Sequence, residues 1–207
     1  MNNKFHINIG RQIGSGGLEI GKKLAEKLGI KSYDRELIEL ASEESGVGKE
    51  FFEKNDEKDS HSLFGGMFGM RSSLIGPMDS GYFLSNENLF QIQSEIIRKL
   101  AEKESCIFVG RCADYVLKDF PSNLNVFISA DMNDRIKRVA RLHQLSSEKA
   151  ACFIEKIDKK RASYYDYFSN KTWGDARSYH VCINSSLLGI DNTVEVIRHI
   201  VENKFKF

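Results

Sequence analysis

The sequence carries almost no net charge: 30 lysines and arginines stand against 29 aspartates and glutamates, a formal +1 at pH 7 over 207 residues. No chain-wide basic excess exists to drive sequence-independent binding to a duplex, so nucleic acid is not expected as a partner and basic charge must act locally. Long apolar runs are missing too. No stretch reaches the roughly 18 apolar residues of a membrane span, and the opening MNNKFHINIG lacks the apolar core of a secretory signal, so neither a membrane nor export is expected. Only four cysteines occur (Cys106, Cys112, Cys152 and Cys182), far apart and without CxxC or zinc-ligand spacing. That excludes a disulfide framework as the organising device and points to a reducing, cytoplasmic setting. The five histidines form no HxxxH or H-x-E pattern, so no metal site built from protein ligands is expected.

What is present is ordinary for a globular chain: 41% hydrophobic and 29% charged residues, enough length for one domain with a substantial core. Five short apolar runs read as strands: Phe5 to Gly10, Lys31 to Tyr33, Cys106 to Gly110, Leu124 to Ser129 and Tyr179 to Asn184. They lack strict alternation, as expected of strands covered on both faces in a parallel sheet. Between them lie helical stripes. Ile20, Leu24 and Leu28 precede Gly29 as a C-cap; Leu89, Ile92, Ile96, Ile97 and Leu100 follow Ser85 as an N-cap; Ile136, Val139 and Ala140 follow Asp131. Further helices are expected over Ser147 to Arg161 and Asp191 to Asn203. Alternating strands and helices predict an α/β fold, a doubly wound parallel five-stranded sheet flanked by helices. Residues 46–84 break the rhythm with glycines, phenylalanines and methionines, and read either as an insert that packs on a ligand or partner or as a disordered, poorly packed loop.

The strongest local signal follows the first strand. Gly14-Ser15-Gly16-Gly17 leads straight into an amphipathic helix. Glycines let the backbone fold tightly enough to aim several N–H groups at one anion, and the helix N-terminus adds its partial positive charge. A phosphate cradle is expected, with Gly14, Ser15, Gly16 and Gly17 as its residues. The loop departs from G-x-x-x-x-G-K-[ST]: with the second glycine set on Gly16, Arg11 stands at the first glycine, Gly17 at the lysine and Leu18 at the hydroxyl position. Arg11, Lys22 and Lys23 are the nearby cations able to supply the missing charge.

Several later segments, in order and spacing, make the chain resemble the cytidylate kinases. They are Tyr33-Asp34 after the second strand, Val109-Gly110-Arg111 at the end of the third, Val116 to Pro121, Val126 to Ala130, Asp134 to Arg138, Asp158 to Arg161, and Leu188-Gly189-Ile190 before the last helix. The nearest likeness is to a divergent cytidylate kinase-like group that carries GSGG in place of the lysine loop. The resemblance implies a P-loop nucleoside-monophosphate kinase, with ATP and Mg²⁺ donating a phosphoryl group to a pyrimidine nucleotide such as CMP. It implies Asp34 and Arg111 at the acceptor, an insert over residues 46–84 beside it, and a mobile lid over residues 155–177. Where that family has Gly-Arg-Asp this chain has Gly110-Arg111-Cys112, with Asp114 two places on.

Chemistry supports cations from distant segments, because phosphoryl transfer is largely positioning and charge neutralisation. Arg111, at the carboxyl end of a core strand, lies where open α/β sheets bind ligands and can grip phosphate with two N–H groups. Arg161 and Arg177 are the expected lid cations, with Tyr165 beside Arg161; Arg135 and Arg138 share a helix face that is either solvated surface or part of the site where it borders the lid, and Arg141 is expected at the surface. Two other functions stay open. A nucleotide-binding sensor or scaffold without catalysis fits the missing lysine and hydroxyl. A dinucleotide-dependent oxidoreductase fits the spacing of Gly14, Gly16 and Asp34, although Glu19 takes the third glycine's place.

Overall fold

The structure is a computed structural model describing residues 4–34 and 80–206. Its centre is a five-stranded sheet formed by β1 (His6–Arg11), β2 (Lys31–Tyr33), β3 (Cys106–Val109), β4 (Asn123–Ser129) and β5 (Val181–Asn184). The order is β2-β3-β1-β4-β5 and every pairing is parallel. Ile7 stands opposite Ile107 and Leu124, and Ile9 opposite Val109 and Val126, so period-two side chains form two apolar layers. On one face Ile7, Ile9, Ile107, Val109 and Val126 pack against Ile20 and Leu24 of α1 (Gly17–Leu28) and Val194, Ile197 and Val201 of α6 (Ser185–Phe205). On the other, Cys106 and Phe108 meet Ile96, Ile97 and Ala101 of α2 (Ser80–Lys103), together with Val116 and Leu117. Each fully buried isoleucine or leucine contributes about 1.5–3 kcal/mol relative to exposure.

Three further helices complete the fold: α3 (Ala113–Val116), α4 (Met132–His143) and α5 (Ser147–Ser169). Val139 of α4 and Ala150 and Ile154 of α5 enclose Ile13, which seats this helix pair on the β1–α1 turn. The chain leaves β1 towards β2 on one side of the sheet and leaves the neighbouring β4 towards β5 on the other. Such a divergence opens a crevice at the carboxyl ends of the strands. The order also differs from the 3-2-1-4-5-6 arrangement of dinucleotide-binding folds.

All five expected strands form, and Gly29 caps α1 at φ 63°. The differences have local causes. α5 runs eight residues past Arg161 because Tyr165 continues the buried stripe of Ile154 and Ile157, and Asn170, at φ 54°, ends it. Helix α2 starts at Ser80, ahead of Ser85. Asp131 occupies the N-cap of α4, yet its carboxylate accepts a hydrogen bond from Asn184 Nδ2 (2.8 Å) and caps nothing. The last helix begins at Ser185, ahead of the expected Asp191, and breaks at Gly189 (φ 76°, ψ 171°). The insert expected over residues 46–84 lies outside the described residues up to Ser80, where α2 opens. Among the described residues no helix is long and apolar enough to cross a membrane.

Candidate active site

At the end of β1 the backbone turns through Gly14 (φ 75°) and Gly16 (φ 79°), a conformation that costs other residues about 1–2 kcal/mol each. The carbonyls of this bend are held from outside. Arg161 Nη1 donates to Arg11 O (3.0 Å), Arg135 Nε to Ile13 O (2.8 Å), Arg138 Nη1 to Gly14 O and Ser185 Oγ to Ser15 O (2.7 Å). Asp158 Oδ1 accepts from Ile13 N–H (2.9 Å), and its other oxygen pairs with Arg135. Burial raises the Asp158 carboxyl, while the Ile13 N–H and the Arg135 charge pull it back. With the carbonyls engaged, the N–H groups of Gly14, Gly16, Leu18 and Glu19 have no acceptor among the described residues. Unpaired amides at a helix N-terminus favour an anion. The bend is also tightly packed. A Cβ on Gly16 would lie 2.2 Å from Ile190 Cδ1, and one on Gly14 2.9 Å from Arg135 O. Gly14, against the α4 backbone, therefore admits that helix as well as helping to aim amides, while the Ile190 tip beside Gly16 can move.

Beside the bend lies an open cavity at the carboxyl ends of β1 and β3. Arg11, Arg111 and Arg161 line it, with Asn8 and Asp114; Tyr164, Tyr165, Trp173 and Tyr179 give it an aromatic side. Arg111 is set by an unusual turn in which Gly110 (φ 81°), Arg111 (φ 59°) and Cys112 (φ 51°) are left-handed in succession. Strain of this kind in non-glycine residues concentrates at functional sites. Arg111 is only 5% exposed. Arg11 Nη2 reaches Asp34 Oδ1 at 3.4 Å, which brings Asp34 to the edge of the cavity. Asp114 is buried and accepts from the Tyr165 hydroxyl at 2.7 Å; burial raises its carboxyl, and that hydrogen bond works against the rise. Arg161 is held down to about 9, first by burial and then by the charge of Arg11, and its Nε has no hydrogen-bond partner among the described residues. Three guanidinium groups thus converge on the cavity, with Asp34 beside Arg11, Asp158 between Arg135 and Arg161, and Asp114 occupied by a tyrosine. Such a cluster of guanidinium groups suits an anion.

The structure brings together Arg11, Asp34, Arg111, Asp114 and Arg161, next to the bend of Gly14, Ser15, Gly16 and Gly17. Two expected residues lie elsewhere. Lys22 is exposed on α1 and does not line the cavity. Arg177 is 90% exposed and held by Asp175, which also accepts from its backbone N–H, so a local pair takes the guanidinium away from the cavity. Sequence reasoning missed Asp158 and Asn8, and left Arg135 and Arg138 undecided between surface and site. Their positions at i and i+3 in the helix after β4 signal a shared face, and the structure places that face against the bend; Arg141 is exposed, as expected.

The sequence matches the profile of the cytidylate kinase-like family over residues 6–187. The chain belongs to that family. This cytidylate kinase-like protein is similar throughout to the crystal structure of an uncharacterized protein from Eubacterium ventriosum ATCC 27560. The two share 29% identity at a TM-score of 0.72, over 96% of this chain and 99% of that one. Its fold is shared by shikimate kinase from Bacteroides thetaiotaomicron (16% identity, TM-score 0.54, 96% and 98% coverage). It is shared as well by deoxyadenosine kinase from M. mycoides with the products dCMP and dCDP bound (13% identity, TM-score 0.50, 96% and 100% coverage). No curated protein matches the sequence significantly. The cytidylate kinase-like chain therefore has a kinase-like P-loop fold.

Proposed function

We propose that the protein transfers the γ-phosphoryl group of ATP to a nucleoside monophosphate, a pyrimidine nucleotide such as CMP. The observation that carries this reading is the convergence of Arg11, Arg111 and Arg161 on one cavity beside the amide-lined bend, in a member of the cytidylate kinase-like family. The unpaired amides of Gly16, Leu18 and Glu19 would hold the donor phosphates. Arg111 would hold the acceptor phosphate, with Asp34 orienting Arg11 and Asp114 on the wall facing the nucleoside. Arg161, from the helix that roofs the cavity, would neutralise charge as the phosphoryl group moves. No general base is required, because an acceptor phosphate is already an anion.

The residues fit ATP better than they fit a protein-bound metal. Among the described residues no group of three His, Cys, Asp or Glu side chains could hold an ion. The Ser15 hydroxyl is buried and donates to Gln12 O at 2.8 Å. Mg²⁺ enters the proposal only as the counter-ion of ATP.

The test is a coupled assay over all ribo- and deoxyribonucleoside monophosphates, with ATP as donor. Turnover is expected with at least one pyrimidine nucleotide. Binding of ATP, equal with and without Mg²⁺, and no turnover with any acceptor would favour the second reading, a nucleotide-binding sensor or scaffold, which the absent lysine at position 17 supports.

A further inference from the structure

The glycine bend lacks its lysine, and the structure shows what stands in its room. In a G-x-x-x-x-G-K loop set on Gly16, glycine belongs at position 11 and lysine at 17; this chain has arginine at 11 and glycine at 17. The two positions touch. A Cβ on Gly17 would lie 2.6 Å from Arg11 Cβ and 3.0 Å from Arg11 Cγ. Gly17 has no left-handed backbone to explain it, and its next neighbour, Ile128 Cβ, is at an ordinary 3.5 Å. The stem of Arg11 alone requires glycine there. Further along, the guanidinium passes over Gly110, whose Cβ would fall 1.8 Å from Nη1 and 2.8 Å from Cζ. Two glycines, one on the bend and one at the end of β3, thus form a slot that carries this side chain from the phosphate loop to the cavity.

Of the other cations near the bend, Arg161 enters the cavity from α5 rather than from the loop, and Arg135 is held by Asp158 and Ile13 O. Lys22 is exposed, Lys23 pairs with Asp191 (2.7 Å) and Glu19 (3.4 Å), and Arg138 holds Gly14 O. Arg11 faces Asp34 through one nitrogen at 3.4 Å, is 11% exposed and lines the cavity.

We infer that Arg11 does the work of the missing lysine: the loop has exchanged its glycine and its cation, so that Arg11 holds the donor phosphates from position 11 across Gly17 and Gly110. This inference rests on the phosphotransferase reading of the site. It makes Gly17 a consequence of Arg11, and a mutant cycle can read that dependence.

The experiment measures ADP affinity by calorimetry, with thermal unfolding as a folding control. Arg11→Met keeps the stem over Gly17 and removes the charge; it is expected to weaken ADP binding roughly ten- to hundred-fold, the range of a charged hydrogen bond. Gly17→Ala, which displaces the stem, is expected to weaken it comparably. Arg11→Ala with Gly17→Ala is expected to be no worse than Arg11→Ala alone, and Arg11→Gly with Gly17→Lys to recover most of the loss. ADP affinity in Arg11→Met within twofold of wild type, or Gly17→Ala losses that add in full to those of Arg11→Ala, would overturn the inference. If the wild type binds ADP with this dependence but phosphorylates no monophosphate, the kinase reading falls and the exchange stands. If it phosphorylates CMP and Arg11→Met is unchanged, the exchange falls alone. If the wild type binds no ADP, both fall.

Discussion

Replacing Arg161 with methionine should stabilise the fold while weakening its hold on anions. The guanidinium is lowered well below its ordinary value, to about 9, chiefly by burial and then by Arg11. At about 1.4 kcal/mol per pH unit, its charged form is disfavoured in the folded chain by roughly 4–5 kcal/mol. Methionine removes that cost and keeps much of the stem's volume, but it forfeits the hydrogen bond to Arg11 O, about 1.5–3 kcal/mol for a charged donor. The net expectation is a gain of about 2 kcal/mol, within the range seen when buried charges give way to apolar groups. For a chain of this size that is roughly 4–8 °C in Tm. Inorganic phosphate should raise the wild-type Tm by binding only the folded state, and should raise that of Arg161→Met much less. Urea and thermal unfolding at pH 7.5, with and without phosphate, read both effects. A variant less stable than wild type, or one stabilised by phosphate to the same degree, would refute the claim that Arg161 is an anion-seeking charge held against burial.

Acid should unfold the chain partly through His6, which is buried beside Phe108 and Phe120 and lowered to about 4, first by burial and then by Lys4. Its folded value is below the unfolded one, so stability is present above pH 6.5 and lost as pH falls towards 4; wild type should lose about 2 kcal/mol between pH 7.5 and 5 that His6→Phe keeps, and equal losses in urea titrations would contradict this. Gly16→Ala should cost about 1–2 kcal/mol from its φ of 79°. Because Ile190 Cδ1 is the movable end of a side chain, adding Ile190→Val should not restore stability; full rescue would show that contact, not backbone, decides.

The strands were legible because residues such as Ile7, Ile107 and Val126 sit in runs buried on both faces, and burial writes itself into composition. The place of Arg111 was legible from position, at the carboxyl end of a core strand beside a turn, whereas Asp34, after the edge strand β2, was named only through the resemblance. Arg177 misled because the sequence shows a cation in a turn but not that Asp175, two residues earlier, would take it. Arg135 and Arg138 were visible as a helix face, but nothing in a spacing of three says that their guanidinium groups reach back more than a hundred residues to Ile13 and Gly14 carbonyls. The dependence of Gly17 on Arg11 was hidden for the same reason. It exists only once the stem of one residue lies on the α-carbon of another. The left-handed Arg111 and Cys112 carry no residue-type signal at all, since neither arginine nor cysteine favours that conformation.

Calorimetric titration of the protein with CMP and with cytidine, repeated on Arg111→Ala, tests the central claim most directly. If the cavity grips an acceptor phosphate through its guanidinium groups, CMP binds at least about tenfold more tightly than cytidine, roughly 1.4 kcal/mol, and Arg111→Ala removes that advantage. Equal affinities for CMP and cytidine in the wild type, or an advantage untouched by the loss of Arg111, would contradict it.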